Sequence, residues 1–362
     1  MPATLDAQFS LDLLVNAQCA NGALPASTVH EVYQFGWLRD GSWCAYAMDR
    51  GGRPDAAARW HDWVADTLLR HEHRVDEALN AVGAGKVDGR VMMPARFTLA
   101  GEEEPVAPAE EWPNFQTDCY GFWLWAATDH VVRAGGRPDP TVERAMRLVV
   151  RYLLGAGETP CYDCWEEYPG LLHTSSLAAV SAGLRDAGEL LGDAAARSYA
   201  ETIRQRLLGG EFTLAEGFVR SAGGDTRVDG SLLWLSVPFD LVPVDSDIFR
   251  TTVKRIREEL RAPGAGVRRY VGDSFYGGSQ WILLAASLGR VALAEGQVDE
   301  ARELLAWIEG TATSDGFLPE QVAVDVYSPH MLAFWRERWG ATATPLLWSH
   351  AMHLTLLTEL RS

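Results

Sequence analysis

The spacing of apolar residues constrains this chain most, because it follows the α-helix nearly from end to end. Leu177, Val180, Leu184, Ala187 and Leu191 advance by three and four residues, the repeat that gathers side chains on one helix face. Val298, Ala301, Leu305 and Ile308 do the same. Further helical stretches fall at about 6–18, 41–50, 55–71, 119–134, 140–154, 193–208, 246–261, 279–295 and 345–360. Alternation with a period of two is confined to short runs, of which Phe218–Arg220 and Leu232–Val237 are the best strand candidates. The chain is predicted to be all-α.

A short punctuation mark recurs between these helices. Gly51-Gly52-Arg53-Pro54-Asp55 returns as Gly135-Gly136-Arg137-Pro138-Asp139, with looser versions at Leu191-Gly192-Asp193 and Glu295-Gly296-Gln297-Val298-Asp299. Glycine closes one helix in the left-handed conformation, and Asp or Pro opens the next. Each mark therefore reads as a tight helix–helix hairpin, and units of roughly 50–60 residues give six such pairs. No linker or shift in composition divides residues 1–362, so a single domain is expected. The remaining connections are longer and rich in aromatic and acidic residues: 33–43, 112–119, 161–174, 268–281, 316–322 and 345–350. In a ring of alternating inner and outer helices they share one end, making a decorated mouth of the kind that carries function.

Charge narrows the partners. A net charge of −17 opposes nucleic acid, whose phosphates require a basic face, and opposes anionic membranes. No apolar run approaches the roughly 20 residues of a membrane span, and the N-terminus lacks a secretory pattern, so a cytoplasmic protein is expected. Five cysteines fit a reducing compartment. Cys161 and Cys164 form one CxxC pair, but His173 stands alone nearby, and a zinc site wants a second pair; neither metal nor cofactor is expected. Fourteen tryptophans, many of them exposed-loop candidates beside Gly, Pro, Asp or Glu, suit a neutral sugar, whose C–H faces stack on aromatic rings. Packing inside a large helical ring is the plainer, less favoured alternative.

The segment Trp165-Glu166-Glu167-Tyr168-Pro169-Gly170 sets two carboxylates in a turn. An aromatic wall and a neighbouring negative charge both raise a carboxyl pKa, and Glu166, between Trp165 and Glu167, has both neighbours. That fits a general acid. Glu320, in Gly316-Phe317-Leu318-Pro319-Glu320-Gln321, is the best second carboxylate.

At this point the residues reach a family. Phe35-Gly36-Trp37-Leu38-Arg39-Asp40 resembles the Trp-x-Arg-Asp signature of the glucoamylase-like family 15 glycoside hydrolases. Cys164-Trp165-Glu166-Glu167 resembles the general-acid loop and Leu318-Pro319-Glu320-Gln321 the general-base loop. Arg269-Tyr270 with Asp273, Gly277 and Trp281 resembles a sugar-site segment. Leu347-Trp348-Ser349-His350-Ala351 is similar to the last inner helix, and Asn21–Ser27 to the opening loop. The matches run in order from about residue 10 to residue 358.

The resemblance implies an (α/α)6 barrel and single-displacement hydrolysis of an α-glucoside at its non-reducing end. Glu166 would protonate the glycosidic oxygen and Glu320 would activate water on the opposite face. Arg39 and Asp40 would hold the terminal glucose, with Trp37, Trp112, Asp118, Trp165 and Trp348 around it and Tyr33 beneath the reacting ring. Glu167, Arg269 and Trp281 would face the leaving sugar. No β-sandwich precedes the matching signatures and no starch-binding module follows them, and Val322–Thr344 has no clear counterpart; short oligosaccharides, isomaltose- or maltose-type, are the expected substrates.

Plainer readings stand beside these. Arg39–Asp40 could be a structural ion pair, Asp118 a helix N-cap, Tyr33 a packing residue, and Trp37, Trp112 and Trp348 core. A trehalase of the same family is an alternative function. A sugar isomerase or epimerase would want positioned histidines, and only His173 and His350 lie in the aromatic loops. A non-catalytic glycan-binding barrel would tolerate loss of one key glutamate, and both are present.

Overall fold

The structure is a computed structural model that describes residues 5–104 and 114–361. Its helices are α1 (Ala7–Ala17), α2 (Leu38–Arg50), α3 (Pro54–Arg70), α4 (Glu72–Gly83), α5 (Asp118–Arg133), α6 (Pro140–Ala156), α7 (Thr174–Leu190), α8 (Ala194–Leu207), α9 (Asp247–Arg255), α10 (Ile282–Ala294), α11 (Val298–Gly310), α12 (Pro329–Trp339) and α13 (Leu347–Glu359).

Helices α2, α5, α7, α10 and α13, with a 3-10 segment at Gly230–Leu235, form a closed inner ring in which each element packs on the next and α13 returns to α2. Outside them lie α1, α3, α6, α8, α9 and α11. This is the (α/α)6 barrel, and the two layers differ in sequence for a physical reason. An outer helix such as α6 buries Val142, Ala145, Met146, Val149 and Leu153 while Arg144, Arg147 and Arg151 face solvent, the amphipathic pattern of a surface helix. Inner helices are covered on all sides, so α7 is buried without interruption from Thr174 to Leu184. Small residues let them approach: a Cβ on Gly183 would lie 2.4 Å from the Gly121 carbonyl oxygen, so α5 and α7 meet backbone to backbone.

The punctuation marks are hairpins. Gly52 and Gly136 take φ of 85° and 84°, Pro54 opens α3, and Asp139 caps α6 by accepting the Thr141 N–H at 2.8 Å. Asp193 caps α8 through Ala196 at 3.0 Å. These short turns lie where inner helices finish, and the long connections lie where inner helices begin.

Four points depart from expectation. Leu232–Val237 is not a strand: Gly230–Leu235 is a 3-10 segment filling the fourth inner position, and a short, wholly buried apolar run carries no period to tell the two apart. Phe218 does pair, but only in a two-residue strand, Gly217–Phe218, against Thr213–Leu214. Helices α4 and α12 were not expected. The tryptophans are mainly interior rather than exposed on loops: Trp43, Trp60, Trp63, Trp123, Trp125 and Trp234 are buried, and Trp43 meets Trp125, Trp234 and Trp348 with ring centres 5.2–6.4 Å apart along the barrel axis. Among the described residues, no helix is long and apolar enough to cross a membrane.

Candidate active site

The long connections converge on a cavity of about 360 Å³ at the end of the barrel where the inner helices start. Tyr33, Trp37, Arg39, Asp40, Trp165, Glu166, Glu167, Arg269, Trp281, Glu320 and Trp348 all line it. Asp118 is buried behind it. Trp112 lies outside the described residues.

One short segment reaches both candidate catalytic groups. Trp37 Nε1 donates to Glu166 Oε1 at 3.0 Å, and the Tyr33 hydroxyl donates to Glu320 Oε1 at 2.9 Å. The two rings meet edge to face at 5.8 Å, so Tyr33 positions a carboxylate as well as packing. Its phenol is raised well above the ordinary value by burial and by Glu320 and Glu166, which keeps it a donor.

Glu320 is 5% exposed. Burial raises its carboxyl to about 7, against hydrogen bonds from Gln321 (Nε2 to Oε2, 2.8 Å) and Tyr33 that favour ionisation. Its loop is fixed on several sides. The Glu320 N–H donates to the Ala343 carbonyl at 2.8 Å, Ser349 Oγ donates to Pro319 O at 2.7 Å, and the Leu318 N–H donates to His350 Nε2 at 2.9 Å.

Glu166 is held differently. It sits at φ 66°, a left-handed conformation unusual for a side-chain-bearing residue. Asp163 organises this turn: its Oδ1 accepts the N–H groups of Trp165 and Glu167, both at 2.9 Å, and Arg220 donates to its Oδ2 at 2.6 Å. Glu166 also accepts from Gln116 at 3.3 Å. The expected neighbours behave otherwise than foreseen. Glu167 turns away, its carboxylate bonded to Arg220 (2.7 Å), Arg269 (3.1 Å) and the Tyr270 hydroxyl (2.7 Å). Burial works to raise it, but the two guanidiniums and Tyr270 hold it below the ordinary glutamate value. The Glu167 charge is therefore paired with two guanidiniums rather than standing bare beside Glu166. Trp165 lends its indole N–H to Asp229 at 3.0 Å.

Arg39 and Asp40 separate into two jobs. Arg39 donates to Asp118 at 2.9 Å and to Gln116 at 2.6 Å, whereas Asp40 is 3.7 Å from the Arg39 Nε. Asp118 is thus neither an N-cap nor a wall of the cavity; it holds Arg39. Burial, opposed by Arg39 and aided by Glu166, raises the Asp40 carboxyl to about 6. Arg39 Nε, Asp40 Oδ2, Trp281 Nε1 and Trp348 Nε1 are buried with no hydrogen-bond partner among the described residues, and all four side chains face the cavity.

Sequence reasoning missed the residues that support these groups: Asp163, Arg220, Asp229, Gln116 and Gln321. It also missed Trp335, Arg338 and Trp339, which α12 brings to the outer wall. An Asp two residues before Trp165 is a turn-former's position, the one signal that was available. His173 and His350 do not line the cavity; both are engaged, His173 with Ser221 Oγ at 2.7 Å and His350 with Ser10 Oγ at 3.0 Å. Cys161 and Cys164 are free thiols, and burial pushes Cys161 up to about 12, away from the thiolate that metals and redox chemistry need.

Comparison with known proteins agrees with this geometry. The sequence pattern of "Glycosyl hydrolases family 15" matches residues 8–358. The chain is 40% identical to isomaltose glucohydrolase of Kribbella flavida over 98% of its length and 92% of that protein's. It is 22% identical to trehalase 2 of Sulfolobus acidocaldarius over 83% of its length and 55% of that protein's. A solved wild-type glycosidase, 40% identical, superimposes with a TM-score of 0.91 over 98% of this chain and 96% of that one. A bacterial glucoamylase complexed with acarbose, 19% identical, shares the fold with a TM-score of 0.76 over 98% of this chain and 55% of its own. With its helical barrel and acid-lined cavity, the chain belongs to glycosyl hydrolases family 15 and is a glycoside hydrolase.

Proposed function

We propose that this protein is an inverting, exo-acting α-glucosidase of short α-gluco-oligosaccharides, with the whole chain serving as one catalytic domain. The observation that carries the reading is the facing of Glu166 and Glu320 into one cavity where Arg39 Nε, Asp40 Oδ2, Trp281 Nε1 and Trp348 Nε1 have no hydrogen-bond partner among the described residues. Buried polar groups demand hydrogen bonds, and a sugar's hydroxyls supply both donors and acceptors for them.

In this reading the terminal glucose sits against Arg39, Asp40 and Trp348, and Glu166 gives its proton to the glycosidic oxygen as the C1–O bond breaks. Water attacks C1 from the opposite face, and Glu320 takes the water's proton. Glu320, raised to about 7, is about as strong a base as can remain ionised near neutrality. Tyr33 and Gln321 steer its two oxygens. Glu167, Arg269, Trp281 and the α12 residues Trp335 and Trp339 form the wall that meets the leaving sugar. The likeness to isomaltose glucohydrolase supports an α-1,6 disaccharide as the first substrate to test.

The experiment is to incubate the protein with isomaltose, maltose, trehalose and soluble starch and follow the released sugar by proton NMR. Inversion requires β-glucose to appear first. First release of α-glucose overturns the mechanism, and starch hydrolysed as efficiently as disaccharides overturns the size preference. Turnover of trehalose alone moves the protein to the trehalase reading.

A further inference from the structure

The end of the barrel remote from the cavity holds a second cluster that glycoside hydrolysis leaves unused. Asp49 lies near the C-terminal end of α2, His61 within α3, and His130 near the C-terminal end of α5. One potential ligand atom from each lies within 4.8 Å of the others. His130 Nδ1 is 3.0 Å from each carboxylate oxygen of Asp49, and the His61 and His130 rings are 5.1 Å apart between centres.

His61 carries the argument. It is 2% exposed, and neither of its ring nitrogens has a hydrogen-bond partner among the described residues. Leaving a buried polar atom unpaired costs about 1–3 kcal/mol, and an imidazole has two such atoms. If the position served packing alone, an apolar side chain would fill it without that cost. Asp49 is paired with the His130 ring and not with the guanidinium next to it in sequence. Arg50 turns instead to Asp129, at 2.9 and 3.1 Å, over the Tyr46 ring.

We propose that Asp49, His61 and His130 form a binding site for a divalent transition metal, with zinc the best-fitting ion. Two imidazoles and one carboxylate are a borderline-soft donor set that suits zinc, whereas calcium and magnesium prefer oxygen alone. Metal–ligand bonds of about 2.0–2.2 Å put tetrahedral neighbours about 3.4 Å apart. The widest separation therefore closes by little more than an ångström, which side-chain rotation supplies. A water completes the fourth position. Because the three residues come from two inner helices and one outer helix, the metal clamps the α2–α3 hairpin to α5 at the base of the barrel. Its effect is on stability, not on the sugar chemistry at the other end.

The test uses full-length protein without an affinity tag, stripped by a chelator and titrated with zinc against a chromophoric competitor. Wild type is expected to bind one equivalent more tightly than micromolar, with a melting temperature that rises as free zinc rises. Cobalt in place of zinc is expected to give the visible absorption of a tetrahedral site. His61→Asn should weaken binding at least about a hundredfold while isomaltose hydrolysis by the folded protein stays unchanged; His130→Gln, at a half-buried position, serves where His61→Asn does not fold. Wild type that binds no zinc at micromolar concentration, or variants that bind it as wild type does, would overturn the site.

Discussion

The loops that carry Glu166 and Glu320 do comparable work by opposite means. The Glu320 loop is pinned by its backbone, to Ala343, His350 and Ser349, and its carboxyl is sunk among the inner helices where burial raises it to about 7. The Glu166 loop is a tight turn stabilised by a single side chain, Asp163, which is itself locked by Arg220. Its glutamate stays half-buried in a left-handed conformation. A base that must meet only water can be enclosed; an acid that must reach the bond between two sugars has to stand at the opening. The contrast teaches that anchoring by distant residues, more than the identity of adjacent residues in sequence, sets how each carboxyl is held.

The sharpest way to break this comparison is to neutralise each carboxyl in turn. Glu166→Gln is expected to lower isomaltose hydrolysis by about two to four orders of magnitude but to spare a glucosyl fluoride, whose leaving group needs little protonation. Glu320→Gln should lose both substrates by similar factors. Steady-state rates on the two substrates check this, and equal loss of fluoride hydrolysis in both variants would cancel the assignment of roles.

Asp40 gives the next effect. Held 3.7 Å from Arg39 and otherwise unpartnered on one oxygen, it is placed to grip a glucose hydroxyl. A charged hydrogen bond is worth about 1.5–3 kcal/mol, so Asp40→Asn should reduce kcat/KM roughly 10- to 150-fold while leaving the melting temperature close to wild type. A destabilised variant with normal turnover would return Asp40 to the scaffold. Arg39 offers the counterpart: its pairing with Asp118 is buried on both sides, so Asp118→Asn should unsettle the fold as well as the site.

How much of this was legible beforehand differs between the two loops as well. The barrel announced itself through helical periodicity and the repeated Gly-Gly-Arg-Pro-Asp turns, since both depend on local chemistry. Glu166, Glu320 and most of the cavity wall were named because each sits in a recognisable short segment. Their environment was not legible. The turn of Glu167 towards Arg220 and Arg269 depends on residues 53 and 102 positions away, and no local pattern encodes that. The 3-10 segment at Gly230–Leu235 and helix α12 escaped for the related reason that tertiary burial, not periodicity, fixes them. Asp118, expected around the glucose or more plainly as an N-cap, instead holds Arg39 from 79 positions away, a pairing that no local pattern shows.

The comparison also predicts a pH profile. In its proposed role as base, Glu320 must be ionised to accept a proton, and its carboxyl is raised to about 7, so kcat/KM should climb as pH rises through about 7 in the free enzyme. The Asp40 charge is one of the influences raising Glu320, which means Asp40→Asn should move this acid limb to lower pH. Measuring kcat/KM for isomaltose between about pH 5 and pH 8 tests both, and an acid limb near the ordinary glutamate value would show that Glu320 is solvated rather than enclosed.

The smallest effect concerns stability and tests the enclosure of Glu320 without reference to turnover. A carboxyl whose folded value lies above its unfolded one binds its proton more tightly in the native state. Its contribution favours folding below the unfolded value and is lost as pH rises through the folded value. For Glu320, raised from 4.5 to about 7, that window runs between those two values, and the full penalty of holding the charge in the folded state, about 3 kcal/mol, is present above it. Glu320→Gln removes the charge and keeps an oxygen for Tyr33 to donate to. Gln321 can turn its amide over, because its own oxygen has no partner to lose among the described residues. The variant is therefore expected to melt several degrees above wild type at about pH 8 and level with it at about pH 5. Thermal unfolding of this variant and wild type at both pH values decides the matter: a Glu320→Gln protein no more stable than wild type at the higher pH would mean that enclosure of Glu320 carries no penalty, and the contrast between the loops would rest on geometry alone.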